Sequence, residues 1–221
     1  MKLSVIMPVF NEAKTIVEIV NRVRAVPIPH ELVLVDDFSS DGSRELLDSL
    51  ANAPDVRVLH HKVNRGKGVA VATGLNVAAG DVAVIQDADL EYDPGDFVSM
   101  LKPIQAGEAD VVYGVRDLSS QRPVMRFGNR LMSAMTNVLY GTRLQDMETC
   151  YKMMTRVVFQ MLELECKRFD VEAEITAKIL RAGYAIHQLP INYTARYEDK
   201  KLSPLDGWPT LKALVKYRFK H

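Results

Sequence analysis

The sequence is poor in cysteine, with Cys150 and Cys166 alone among 221 residues and no paired spacing that suits zinc. That leaves no disulfide framework, and a reduced, intracellular setting is expected. No window approaches the roughly 18 consecutive apolar residues of a membrane span. The apolar stretch in "MKLSVIMPVFNE" is too short for a signal peptide, so a protein of this kind working at a membrane is expected on its surface. Net charge is also missing, with 28 basic residues against 28 acidic, which removes any general pull toward nucleic acid. The two commonest phosphate-cradling loops, G-x-G-x-x-G after the first strand and G-x-x-x-x-G-K-[ST], do not occur. Internal repeats and low-complexity linkers are absent too.

What is present is an ordinary globular composition, 48% hydrophobic and 25% charged, in a chain long enough for one sizeable domain. "LSVIMPVF" reads as a buried strand, followed by a helix with Ile16, Ile19, Val20 and Val23 at helical spacing. "ELVLVDD" is a second strand, and "SRELLDSLANA" after Gly42 a second helix. "VRVLHH" is a third strand, and the "NRGKG" turn leads into a small-residue helix. "DVAVIQD" is the fourth strand; Asp93 and Pro94 then fit the N-cap and first position of a helix carrying Phe97, Leu101 and Ile104. Strand and helix alternating over short connections predict an α/β fold, with a mostly parallel central sheet flanked by helices. The second half reads less regularly: a strand ending at Arg116, a helix over Val124 to Tyr140, a β-prone "DMETCYKMMTR", a helix closed at Gly183, and the strand "AIHQLPINY".

Ligands of such sheets bind at the carboxyl ends of the strands, and the unusual polar clusters all fall there: Asn11 and Glu12, Asp36 and Asp37, Asn64 to Lys67, Asp87 to Asp89. In "VIQDADLEYDP" four acids alternate directly after the fourth strand. Two carboxylates two residues apart on extended chain share a side, and their repulsion is relieved by a cation. Hard oxygen donors of this kind suit Mg2+ or Mn2+. Asp87 and Asp89 are therefore candidate metal ligands, Glu91 a possible outer member, and Asp93 a helix cap. Arg65 and Lys67, among glycines at a helix N-terminus, are placed to hold an anion.

"SVIMPVFNE", "LVLVDDFSSDGS", "NRGKGVAVATGL", "DVAVIQDADLEYDP" and "DMETCYKMM", in this order, resemble a family 2 glycosyltransferase of the GT-A fold. The resemblance runs from about residue 3 to the C-terminus and is nearest to the branch holding dolichyl-phosphate mannose and glucose synthases and bacterial polyprenyl-phosphate glycosyltransferases. It implies one GT-A domain over 1–221, with 1–115 binding a nucleotide sugar and 116–221 binding the acceptor. By that likeness Pro8, Phe10, Asn11 and Glu12 line the nucleotide pocket and Asp36 or Asp37 bonds the base or ribose. Arg65 and Lys67 stand near the nucleotide, and Asp87 and Asp89, the family's D-x-D, hold the metal on the diphosphate. Arg116, Arg126, Arg130 and Ser133 fall where the branch contacts an acceptor phosphate. Arg196 and Lys200 resemble a basic segment closing over the donor, although "ARYEDKK" is shorter here than the "PRTYEEGKK" of many relatives.

The chemistry so implied is inverting transfer of a hexose, mannose or glucose, from GDP-mannose or UDP-glucose to a polyprenyl or dolichyl phosphate. Arg196 and Lys200 would stabilise the leaving diphosphate. A lipid phosphate is already ionised; a saccharide hydroxyl, the alternative acceptor, needs a base, for which Asp146 or Glu148 in "QDMET" is the candidate, whereas with a lipid phosphate the same two acids would orient an arginine or the acceptor loop. Three features favour the lipid. Four arginines (Arg116, Arg122, Arg126, Arg130) cluster after the fifth strand; the helix Val124 to Tyr140 is rich in Met and Leu; and the tail is basic and amphipathic, with Trp208, Leu211, Leu214 and Val215 on one side. Peripheral contact with the cytoplasmic face of a membrane is expected, with room for a separate membrane-protein partner. A nucleotidyltransferase would carry a Gly-rich basic loop where "PVFNEAKT" stands, and a non-catalytic module would not need both Asp87 and Asp89.

Overall fold

The computed structural model of the protein describes residues 1–166, 170–196 and 207–219. β1 (Leu3–Val9), β2 (His30–Asp36), β3 (Val56–His60) and β4 (Val82–Ile85) alternate with α1 (Ile16–Arg24), α2 (Ser43–Leu50) and α3 (Lys67–Val77). The apolar runs fold as read because these strands are covered on both faces: every residue of β4, and all but Pro8 of β1, is buried. After β4 a short 3-10 turn, Pro94–Asp96, starts α4 (Phe97–Gln105), and Asp93 Oδ1 accepts a hydrogen bond from Gly95 N, as its capping position requires.

β5 (Val111–Arg116), α5 (Pro123–Tyr140), β6 (Lys152–Thr155), α6 (Arg156–Gln160), α7 (Val171–Arg181), β7 (Ile186–Ile191) and α8 (Gly207–Phe219) complete the chain. The sheet order is β3-β2-β1-β4-β6-β5-β7. β6 runs antiparallel to both neighbours, whereas the other strands share one direction. Its reversal has a consequence for the site: the segment entering β6, residues 144–151, arrives at the same edge where β1, β2, β4 and β5 end. An all-parallel sheet would have put those acids on the far side.

α8 packs Ala213, Leu214 and Tyr217 against α5 and α7, and the Tyr140 hydroxyl donates to Leu214 O at 2.7 Å. This corrects the expected single apolar face of the tail. Leu214 is fully buried, while Trp208, Val215 and Phe219 stand exposed on the other side.

Candidate active site

β1 and β2 end in a mutually bonded shelf. Asn11 N donates to Ser39 Oγ (3.0 Å), Ser40 N donates to Asn11 Oδ1 (2.9 Å), and Glu12 N donates to Ser43 Oγ (2.8 Å). Pro8 and Phe10 are half-buried along this edge. Asp36 and Asp37 lie in its floor. Asp36 accepts from Ser39 N and faces His60 Nδ1 at 3.0 Å. Asp37 faces His61 Nδ1 at 2.7 Å and accepts from Arg65 N (2.8 Å) and Gly66 N (2.7 Å). Both carboxylates are buried, so they act first on the protein: Asp37 folds the turn that delivers Lys67, and Arg65 remains exposed beside it.

Lys67 opens α3 and points its ammonium between two acids. Nζ lies 2.8 Å from Asp87 Oδ1, 3.0 Å from Asp87 Oδ2 and 2.8 Å from Glu172 Oε1. Burial disfavours the charged form, but the Asp87 and Glu172 charges outweigh it and hold Lys67 protonated well above its ordinary range. Tight backing lets α3 sit here: a Cβ on Gly68 would meet Cys166 O at 2.6 Å.

The four acids after β4 separate in three dimensions. Leu90 has φ of 64°, a left-handed conformation that breaks the extended alternation between Asp89 and Glu91. Asp89 Oδ1 accepts from Glu91 N at 3.1 Å. Burial, the charge of Asp87 and then that of Glu91 push the Asp89 carboxyl up to about 7. Glu91 turns away. Its Oε2 accepts from the Tyr193 hydroxyl (2.8 Å) and its Oε1 from Arg196 N (2.7 Å), pinning the segment after β7. Among the described residues no three His, Cys, Asp or Glu side chains converge as a metal cage. Glu91, the expected outer member, has both oxygens engaged in anchoring the chain. The pair that stays fits Mg2+ or Mn2+, ions that take one or two carboxylates and complete their shell with water and phosphate oxygens.

Arg196 reaches back over the β1 edge, with Nη1 donating to Glu12 Oε2 at 3.0 Å. Lys200 lies outside the described residues. On the other flank Arg116 forms a two-pronged pair with Asp146, Nε to Oδ2 at 2.7 Å and Nη2 to Oδ1 at 2.9 Å, beneath the Tyr193 ring. Asp146 is 2% exposed and fully engaged, which makes it the group that orients Arg116 rather than a free base. Glu148, two residues on, is the acid with room to act: burial, and next the nearby Glu172 charge, push it up to about 7. The loop carrying both is clamped at Met147, whose N–H donates to Ser133 Oγ (3.0 Å) and whose carbonyl accepts from the buried Lys152 (2.6 Å). Ser133, 4% exposed, supports this loop from inside α5. Arg126 and Arg130, on the same helix, are half-exposed and exposed. Glu172, Lys152 and Tyr193 escape a reading of the sequence, although an acid in the first turn of a helix as apolar as "VEAEITA" was a usable signal.

Residues 4–162 match the profile described as Glycosyl transferase family 2. The chain belongs to this family. Among its relatives is the undecaprenyl-phosphate 4-deoxy-4-formamido-L-arabinose transferase of Yersinia enterocolitica, 31% identical over 151 residues, covering 66% of this chain and 46% of that protein. The Pseudomonas fluorescens protein of the same name is 28% identical over 212 residues, 91% of this chain and 60% of its own length. This family 2 chain thus spans about half the length of the curated relatives it matches. The fold is shared with glucosyl-3-phosphoglycerate synthase from Mycobacterium tuberculosis, solved with Mn2+ and UDP-glucose. The TM-score is 0.76 at 22% identity, covering 98% of this chain and 78% of that one. That structure establishes the GT-A architecture of the central sheet.

Proposed function

We propose that the protein is an inverting hexosyltransferase that moves mannose or glucose from GDP-mannose or UDP-glucose to a polyprenyl or dolichyl phosphate. The observation that carries this is the Asp87–Asp89 pair at the end of β4, set against Lys67 at the start of α3. Acids with a cation beside them at a strand's carboxyl edge suit a metal-bound diphosphate. A Mg2+ or Mn2+ ion held by Asp87 and Asp89 would neutralise charge on the leaving nucleoside diphosphate. The chain does the rest. Lys67 and Arg196 add positive charge on the leaving side, the Asn11–Ser39 shelf bears the nucleoside, and Glu91 holds the Arg196 segment in place. An acceptor oxygen attacks the anomeric carbon from the face opposite the diphosphate, so the configuration inverts.

The lipid phosphate is favoured by α5. Val124, Phe127, Leu131 and Val138 are exposed on it, alongside Arg122, Arg126 and Arg130, an apolar stripe edged with cations that suits an anionic membrane surface. Contact through α5 would be peripheral, on the cytoplasmic face; among the described residues no helix is long and apolar enough to cross a membrane. The names of the Yersinia and Pseudomonas relatives support a polyprenyl-phosphate acceptor. One observation favours a saccharide hydroxyl instead: Glu148, with its carboxyl near 7, is poised to take a proton. Incubating the protein with Mn2+ or Mg2+ and labelled nucleotide sugars, with and without polyprenyl phosphate, decides between them. Label should enter the lipid phase; label found only on free saccharide would overturn the lipid acceptor, and no transfer to either would overturn the enzyme reading.

A further inference from the structure

Phe38 has a backbone that its side chain does not explain. Its φ is 69°, in the left-handed region that glycine enters freely and a bulky residue resists. The cause is local. Asp37 N still bonds Val9 O, continuing the β1 ladder, while Ser39 N turns back to Asp36 Oδ1, so Phe38 alone makes the reversal between them. Every neighbour is fixed: Asp37 by Arg65 N, Gly66 N and His61, and Ser39 by Asn11 N. The conformation is therefore imposed, and glycine would satisfy it without strain.

The ring is not a core residue. It is 49% exposed, and among the described residues no ring or cation stacks on it. Strained residues held by an over-determined surround gather at ligand sites. Among the described residues the other two non-glycine positions with positive φ, Asn11 and Leu90, follow the ends of β1 and β4, on this same edge.

Position says what ligand the ring would meet. β2 lies two strands from β4, about 10 Å at the usual strand spacing. A diphosphate anchored at Asp87 and Lys67 would carry its ribose over β1 and its base toward the tip of β2. We propose that Phe38 is a stacking platform for the nucleobase of the donor, a residue that helps determine which nucleotide the site accepts. The proposal rests on the nucleotide-sugar reading above. A backbone fixed in advance lowers the ordering cost of presenting the ring, and stacking strength, greater for a larger base, adds a modest preference among bases.

The test uses two readouts that a structural ring would move together. UDP and GDP binding is measured by calorimetry with Mn2+ present, alongside Tm, for the unaltered protein and for Phe38→Gly, Phe38→Ala and Phe38→Trp. Phe38→Gly should weaken binding of the preferred nucleotide about tenfold or more while raising Tm by roughly 2–4 °C, as left-handed strain is released. Phe38→Ala, which keeps the Cβ, should weaken binding without the gain in Tm, and Phe38→Trp should retain binding. Unchanged affinity in Phe38→Gly and Phe38→Ala, or a fall in Tm for Phe38→Gly, would overturn the proposal. If the unaltered protein binds neither nucleotide, the nucleotide-sugar reading fails first and this proposal with it.

Discussion

The ammonium of Lys67 lies 2.8 Å from Asp87 Oδ1, joining the first turn of α3 to the end of β4. Glu172 from α7 meets the same nitrogen, so three elements distant in sequence share one positive charge. Asp89 and Glu148 are both pushed up to about 7, by burial first and then by the charges of Asp87 and Glu172 respectively, so each carboxylate is held with too little positive charge to offset its desolvation. A divalent cation held there would relieve that shortfall.

Replacing Lys67 by Met should therefore destabilise the metal-free protein, by on the order of 3–5 kcal/mol, because Asp87 and Glu172 lose their partner. Saturating Mn2+ should recover much of the loss. Thermal unfolding with and without Mn2+ checks this: the metal-induced rise in Tm is expected to be larger for Lys67→Met than for the unaltered protein, and an equal rise in both would separate Lys67 from the cation site.

Asp89→Asn should abolish metal-dependent turnover and leave the fold intact. Its effect on stability has a definite sign. Asp89 is raised in the folded protein, so its contribution is present below its unfolded value near 3.8 and lost as pH rises through about 7. Asparagine resembles the neutral form. Chemical denaturation at pH 8 without metal should find Asp89→Asn more stable than the parent, by on the order of 1–2 kcal/mol, with the difference vanishing toward pH 4.

How much of this was legible beforehand depended on which property the sequence records. The first four strands read cleanly because strands buried on both faces become unbroken apolar runs, and Asp93–Pro94 announced its cap by residue type. Strand direction leaves no such trace, so the reversal of β6, and with it the delivery of Asp146 and Glu148 to the site, was not readable. The sequence separated Asp93 as a cap from Asp87 and Asp89 and left Glu91 between the two; the left-handed Leu90 that turns Glu91 aside is a backbone event that leucine does not advertise. That Asp146 or Glu148 orients an arginine was readable, but not that the pair is Asp146 with Arg116, since pairing across 30 positions is a property of the folded sheet.

Glu148 gives a pH prediction for catalysis. If a hydroxyl acceptor is used, the rate should rise with pH through about 7 as the carboxylate forms, and Glu148→Gln should lower kcat about 100-fold or more and remove that limb. With a lipid phosphate as acceptor, the same substitution should change kcat by less than about tenfold. Comparing the two pH–rate profiles on both acceptors identifies which chemistry the loop serves.

Ser133→Ala separates support from contact. The serine hydroxyl accepts from Met147 N inside the molecule, so removing it leaves a buried N–H without its acceptor and should cost about 1–3 kcal/mol in urea unfolding. Because Lys152 still holds the Met147 carbonyl, the loop should loosen without collapsing. The Arg116–Asp146 pair and Glu148 lie on either side of Met147, so the loss should appear mainly in kcat, with acceptor KM changed by less than about threefold. Arg130→Ala, an exposed cation on the same helix, should do the opposite: stability within about 0.5 kcal/mol of the parent, and a several-fold rise in KM for an anionic acceptor. A large rise in acceptor KM for Ser133→Ala, with stability unchanged, would return the hydroxyl to the acceptor site.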